Sequence, residues 1–162
     1  MITQSDLKQA LNYDPDTGEF IWKVAKSGRS CGGKAGSLTD RGYVRIALNG
    51  KQYKAHRLAW LYMTGEWPNN QIDHIDTIRT NNKWSNLRLA NNQENHSNSP
   101  MRKNNTSGYK GVSWSKRDAK WFTTIMVNYK SIYLGAYGTA EEAHDAYVKA
   151  SNKYFGEFAR AF

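Results

Sequence analysis

The sequence predicts an α+β fold built from two small parts. Three observations predict it. Short runs with period-two alternation recur in both halves, helical stripes are brief and bounded by start and stop signals, and a polar, Pro-containing stretch at 99–107 has no apolar period. A chain of 162 residues has room for one medium domain or two small ones.

The elements run in order along the chain. Residues 3–11 read as a short helix, with Thr3 or Ser5 as cap and Leu7, Ala10 and Leu11 at i, i+3, i+4 spacing. In NYDPDTGEFIWK an Asp-Thr-Gly turn precedes Phe20 and Trp22, as in a hairpin arm. Residues 27–36 are Gly-rich and basic and read as loop, with Cys31 a free thiol in it. In GYVRIALNGKQYKAH, Val44, Ile46 and Leu48 alternate with Tyr43, Arg45 and Ala47. Asn49-Gly50 supplies the two-residue turn, because both positions accept positive φ. A helix is expected over about 57–64, with Leu58, Leu61 and Tyr62 on one side, stopped by Gly65 and Pro68. After the polar stretch, strands are expected at 109–116, 121–128 and 131–137, with Trp121, Thr123, Ile125 and Val127 on one face. A helix over about 140–154 opens on the capping box Thr139-x-x-Glu142 and carries a stripe of small and aromatic residues. Three antiparallel strands packed on one helix leave the other sheet face uncovered.

Composition limits the function classes. Net charge is +9, and both halves are basic: +4 over residues 1–100 and +5 over 101–162. A polyanionic partner is the natural inference. One cysteine excludes an internal disulfide and a Cys-based zinc ribbon. No apolar run reaches the length of a membrane span, and MITQSDLKQAL does not read as a signal peptide, so a soluble, cytoplasmic protein is expected with no membrane partner.

The segment 71–98 carries the chemistry. It contains I-D-H-I-D at 72–76, N-N-K-W-S-N-L-R at 81–88 and N-N-Q-E-N-H-S-N at 91–98. Asn91 and Glu94 form an N-x-x-E helix start, which puts Asn95 in a first helical turn. Hydrolysis of a phosphodiester needs an activated water, a charge stabiliser and help for the leaving oxygen. A neutral imidazole is a suitable base near pH 7, and carboxylate and amide oxygens suit hard cations.

Asn86 lies 12 residues after His74, and Asn95 lies 9 after Asn86. This register resembles the HNH motif of phage and intron-encoded nucleases. The upstream pattern YDPDTGEFIWK, then GYVRI…NGK…HRLAW…GEWP, is similar to the leading region of such proteins, so the resemblance covers about residues 3–98. It implies a ββα-metal (HNH, His-Me finger) core in which His74 is the general base, Asp73 and Asn95 are metal ligands, and Asn86 supports the site. The implied cofactor is Mg2+, with Mn2+ possible. Asn95 stands where many members have His; it is preferred over His96 for its nine-residue step, and a histidine there would favour zinc or nickel. Asp76 reads as a turn residue and His144 as a surface residue. His56 is either structural or phosphate-facing. Arg45, Lys51, Lys54 and Arg57 of the basic hairpin region either track a DNA backbone or are solvated charge.

S-G-Y-K-G-V-S-W, K-W-F-T-T-I, Y-L-G-A-Y-G-T-A-E-E-A-H-D-A-Y and F-G-E-F-A-R-A-F resemble the plant APETALA/ethylene-response-factor DNA-binding domain over 107–162. The resemblance implies that the exposed sheet face enters the major groove. The implied contact positions are Lys110, Gly111, Ser113, Ser115, Thr124, Met126, Ser131 and Tyr133. Backbone contacts are expected from Lys110, Lys116, Arg117, Lys120 and Lys130. Most of that family's arginines are replaced, so its guanine readout is not expected.

The expected organisation is therefore an HNH nuclease domain at 1–98, a linker at 99–107 and a DNA-binding domain at 108–162. The expected function is metal-dependent, site-specific cleavage of double-stranded DNA, of the homing type. The alternative is a non-catalytic phage DNA-binding regulator; RNA cleavage ranks below both. Monomer and homodimer both stay open.

Overall fold

The structure, a computed structural model, describes residues 1–25 and 30–160. The start of the expected 27–36 loop lies outside the described residues. The chain divides into two compact units, Met1–Ala90 and Asn91–Phe162.

The first unit opens with α1 (Gln4–Ala10), capped by Thr3 in a capping box with Asp6. It runs directly into the hairpin β1 (Leu11–Asp14) and β2 (Glu19–Trp22). A short β3 (Ser37–Leu38) then pairs with β4 (Val44–Leu48), which pairs with β5 (Lys51–Lys54). Asn49 and Gly50 both have positive φ, as the two-residue turn requires. The helix α2 spans Ala55–Thr64, two residues earlier than expected, and ends on left-handed Gly65. Then β6 (Gln71–His74) pairs antiparallel with β7 (Leu87–Ala90), with a 3₁₀ turn at Trp84–Asn86 between them. The core joins Leu7, Leu11, Phe20, Ile46, Leu58 and Leu61, all almost fully buried, with Ile72 and Leu87 from the β6–β7 pair. The hydrophobic face of each small sheet is thus closed by α2, which leaves the ends of β6 and β7 to carry polar residues.

The second unit holds α3 (Asn92–Ser97), the sheet β8 (Val112–Ser115), β9 (Lys120–Val127), β10 (Lys130–Tyr137), and α4 (Ala140–Phe155). The sheet is antiparallel in the order β10-β9-β8. Both helices begin on capping boxes, Asn91 with Glu94 and Thr139 with Glu142. Thr123 and Ile125 are buried, and Ile125 packs with Tyr147 and Ala150 of α4. Alternation then turns Thr124 and Met126 outward, as expected.

Two details differ from expectation. Compactness divides the chain at 90/91, eight residues before 98. The reason is local: Ser97 Oγ donates to the Phe158 carbonyl, and the Asn128 amide donates to Gln93 Oε1 at 2.6 Å, so α3 packs with the carboxy-terminal segment. Lys110 is not an outward-facing hand for phosphate. Its ammonium donates to the carbonyls of Ser97, Ser99 and Arg160 at 2.7, 2.8 and 3.0 Å, and burial pulls its pKa down to about 8. It ties Ser97 and Ser99 to the chain at Arg160.

Gly111 has φ of +74°, and an added Cβ would meet the Tyr147 ring at 2.2 Å. Gly111→Ala therefore combines backbone strain with overpacking. We expect it to destabilise the second unit by about 2 kcal/mol or more, read as a lower melting temperature of that unit.

Candidate active site

The antiparallel register of β6 and β7 places Asp73 opposite Arg88 and His74 opposite Leu87. Asp73, His74 and Asn86 are buried, unusual for polar residues unless each is paired. The Nε and Nη2 groups of Arg88 donate to the same Asp73 oxygen, Oδ2, both at 3.0 Å. Asn86 spans the loop between the strands. Its Nδ2 donates to Asp76 Oδ1 at 2.9 Å and to the Asn81 carbonyl at 2.8 Å, while its Oδ1 accepts from the Asp76 amide at 3.0 Å. Asp76 also accepts from the Ile78 amide and from Asn81 Nδ2, so it is the turn residue the sequence suggests.

The orientation of His74 comes from a residue that no sequence motif singles out. His74 Nε2 lies 3.1 Å from Asn82 Oδ1. Asn82 Nδ2 donates to the Thr80 carbonyl at 3.3 Å, which fixes the amide with its oxygen toward the imidazole. An amide oxygen only accepts, so Nε2 carries the proton and the lone pair of the neutral ring sits on Nδ1. Burial lowers the pKa of His74; the hydrogen bond to Asn82 and the charges of Asp76 and Asp73 oppose that shift. The ring is therefore neutral at pH 7.

Asn82 is itself held from a distance in sequence. It is 2% exposed, and its carbonyl accepts from Tyr13 Oη at 2.7 Å. Gly18, at φ +75°, lies so close that a Cβ there would stand 2.4 Å from the Asn82 carbonyl carbon. The Trp84 amide donates to the Pro15 carbonyl at 2.9 Å. The β1–β2 hairpin thus presses on the loop that orients the imidazole.

His56 meets His74 edge-on, with ring centroids 5.0 Å apart. Burial above all, then the neighbouring charges of His74, Lys54 and Arg57, push its pKa down to about 3, so it stands as a neutral, buried wall of the site. Tyr43 lies 6.2 Å from His74 by ring centroid. Lys54 Nζ lies 4.5 Å and the Arg79 guanidinium 5.0 Å from the Tyr43 ring, so two cations gather on the ring that neighbours His74. Arg45 is exposed and bonded to Gln52, whereas Arg57 donates to the Pro68 carbonyl and lies over Trp67. Of the expected hairpin contacts, Lys54 lies over Tyr43, the ring that neighbours His74.

In the second unit Asn95 falls in the first turn of α3, its amide donating to the Asn91 carbonyl at 3.0 Å. Among the described residues, no three His, Cys, Asp or Glu side chains cluster as a metal site. The donor chemistry near His74 fits a hard cation nonetheless: one buried carboxylate, Asp73, paired with Arg88. Such a set is too small to hold a cation alone and needs phosphate and water oxygens to complete it.

The outward side chains of the sheet in the second unit are Ser113, Thr124, Met126, Ser131 and Tyr133, all exposed, with Phe122 partly so. Lys116, Arg117, Lys120 and Lys130 are exposed at the strand ends. Arg117 pairs with Asp118, and Ser115 Oγ donates to Asp118 Oδ2. His144 is half-buried against Tyr109 and not a surface residue.

Residues 53–97 match the HNH endonuclease family model, and residues 107–157 match the AP2 domain. Protein 3.8 of Escherichia phage T7 is 37% identical over 111 residues, covering 60% of this chain and 92% of that protein. A solved structure described as DNA binding and cleavage by the HNH homing endonuclease I-HmuI is 25% identical, with a TM-score of 0.44, over 57% of this chain and 55% of that one. This chain therefore spans little more than half the length of that homing endonuclease. The matched endonuclease segment takes in β6, the Asn86 loop, β7 and α3, and the chain belongs to the HNH endonuclease family, with an AP2 domain after its nuclease motif.

Proposed function

We propose that the protein is a metal-dependent, site-specific endonuclease of double-stranded DNA, of the homing type. The observation that carries this reading is the buried, neutral His74, with its Nε2 proton held by Asn82, next to the Asp73–Arg88 pair, with the cations of Lys54 and Arg79 on the neighbouring Tyr43 ring. His74 Nδ1 takes a proton from the water that attacks phosphorus. Lys54 and Arg79 attract the phosphodiester, and Asn86 keeps the loop closed around the base. Asp73 and Asn95 are assigned as oxygen ligands, Asn95 on its spacing from Asn86. A bound Mg2+ or Mn2+ ion would supply Lewis-acid neutralisation at the phosphate and the leaving 3′-oxygen.

The sheet of the second unit is assigned as the DNA reader, with its strand-end lysines on phosphates. As functional modules the chain divides into a nuclease at 1–98, a connection at 99–107 and a reader at 108–162. One His74 per chain implies that a monomer nicks one strand. The work belongs in the cytoplasm of a host cell, where the DNA is. Incubation of supercoiled DNA with the protein and Mg2+ tests the reading. Relaxed or linear product is expected; tight binding without product, across several divalent metals, would favour the non-catalytic regulator.

A further inference from the structure

We propose that the exposed face of the β8–β9–β10 sheet reads A·T base pairs through the methyl groups of thymine; this rests on the assignment of that sheet as the DNA reader. The outward face is built from cross-strand pairs: Ser113 opposite Phe122, Thr124 opposite Tyr133, and Met126 opposite Ser131. None of the six is charged. Met126 and Tyr133 are each 60% exposed, and Phe122 meets Tyr133 edge-on with centroids 5.8 Å apart. The core does not need them, because Thr123 and Ile125 on the opposite face already pack on the other side. Apolar side chains grouped on an exposed sheet mark a surface that meets something.

Charge indicates what that partner is. Lys116 and Lys120 stand at the β8–β9 turn and Lys130 at the β9–β10 turn, all exposed, so cations frame an uncharged centre. Phosphates flanking base edges in a groove have the complementary arrangement. Within the major groove, guanine offers two acceptors that call for an Arg or Lys fork, and cytosine offers an amine that calls for a carboxylate. The face has neither. Thymine offers a methyl group, for which Met126, the Thr124 methyl and the Tyr133 ring are suitable apolar partners, and the serine hydroxyls serve any base.

The test uses the full chain as His74→Ala, without divalent metal, so that binding is read without cleavage. Duplexes selected from a random library should be enriched in A·T pairs. Replacing their thymines by uracil removes only the methyl groups, and should weaken binding by about 4-fold for each methyl contacted. In Met126→Ala, whose side chain lies outside the core, the thymine–uracil difference should shrink. Equal affinity for thymine and uracil duplexes, a difference unchanged by Met126→Ala, or preference for single strands or RNA would each overturn the inference. The nuclease reading would survive any of these results if supercoiled DNA is still cut by the wild-type chain.

Discussion

His74→Ala is expected to abolish cleavage and leave DNA affinity nearly unchanged. In the proposed mechanism the imidazole acts on a water molecule in the reaction and not in docking, which is assigned to Lys54, Arg79 and the second unit. Removing a general base costs about 10²–10⁴-fold in rate. The whole loss should appear in the cleavage step, measured by single-turnover nicking of supercoiled DNA beside a binding titration. The cavity left by the ring is bounded by His56, Tyr43 and Asn82. A melting curve therefore separates loss of chemistry from loss of fold. Parallel loss of rate and affinity in a folded variant would contradict the assignment.

Asn82→Leu should be the next most damaging change. It keeps the branched shape but removes the acceptor for the Nε2 proton, so the ring is free to place its proton on Nδ1, the atom that must accept one in the proposed mechanism. Misplacing a reacting group costs on the order of 10²-fold. The fall should lie in the rate at saturating DNA and not in affinity. Nitrogen chemical shifts of His74 in metal-free protein should move from the Nε2–H tautomer toward a mixture. Asn82→Asp keeps an acceptor in place and should restore the tautomer and most of the rate. Equal losses in both variants with no change of tautomer would make Asn82 a packing residue only.

Much of the site was legible in the sequence because its signals are local. Asp73 and His74 are adjacent, Asn86 comes at a family spacing, and both capping boxes are four-residue patterns. The parts that were not legible depend on distant contacts. Asn82 gained its place from His74 on one side and from Tyr13, 69 residues away, on the other. Arg88 became the partner of Asp73 only through the register of β6 and β7. Lys110 read as a phosphate hand because sequence cannot show that carbonyls from 97, 99 and 160 would converge on its ammonium. The same holds for the boundary at 90/91, which side-chain bonds from α3 decide.

The role of Asp73 is tested most directly by changing the softness of its ligand atom. Asp73→Cys should lose more activity with Mg2+ than the ~10–100-fold typical of an outer-sphere partner, because a thiolate is a poor ligand for a hard ion. It should regain a substantial part with Cd2+, which prefers sulfur, while wild-type protein keeps its preference for Mg2+ or Mn2+. The measurement is the rate of nicking of supercoiled DNA by both proteins across that series of metals. A folded variant that cuts with Mg2+ as well as wild type does, or that is equally impaired with every metal, would contradict a cation held by Asp73.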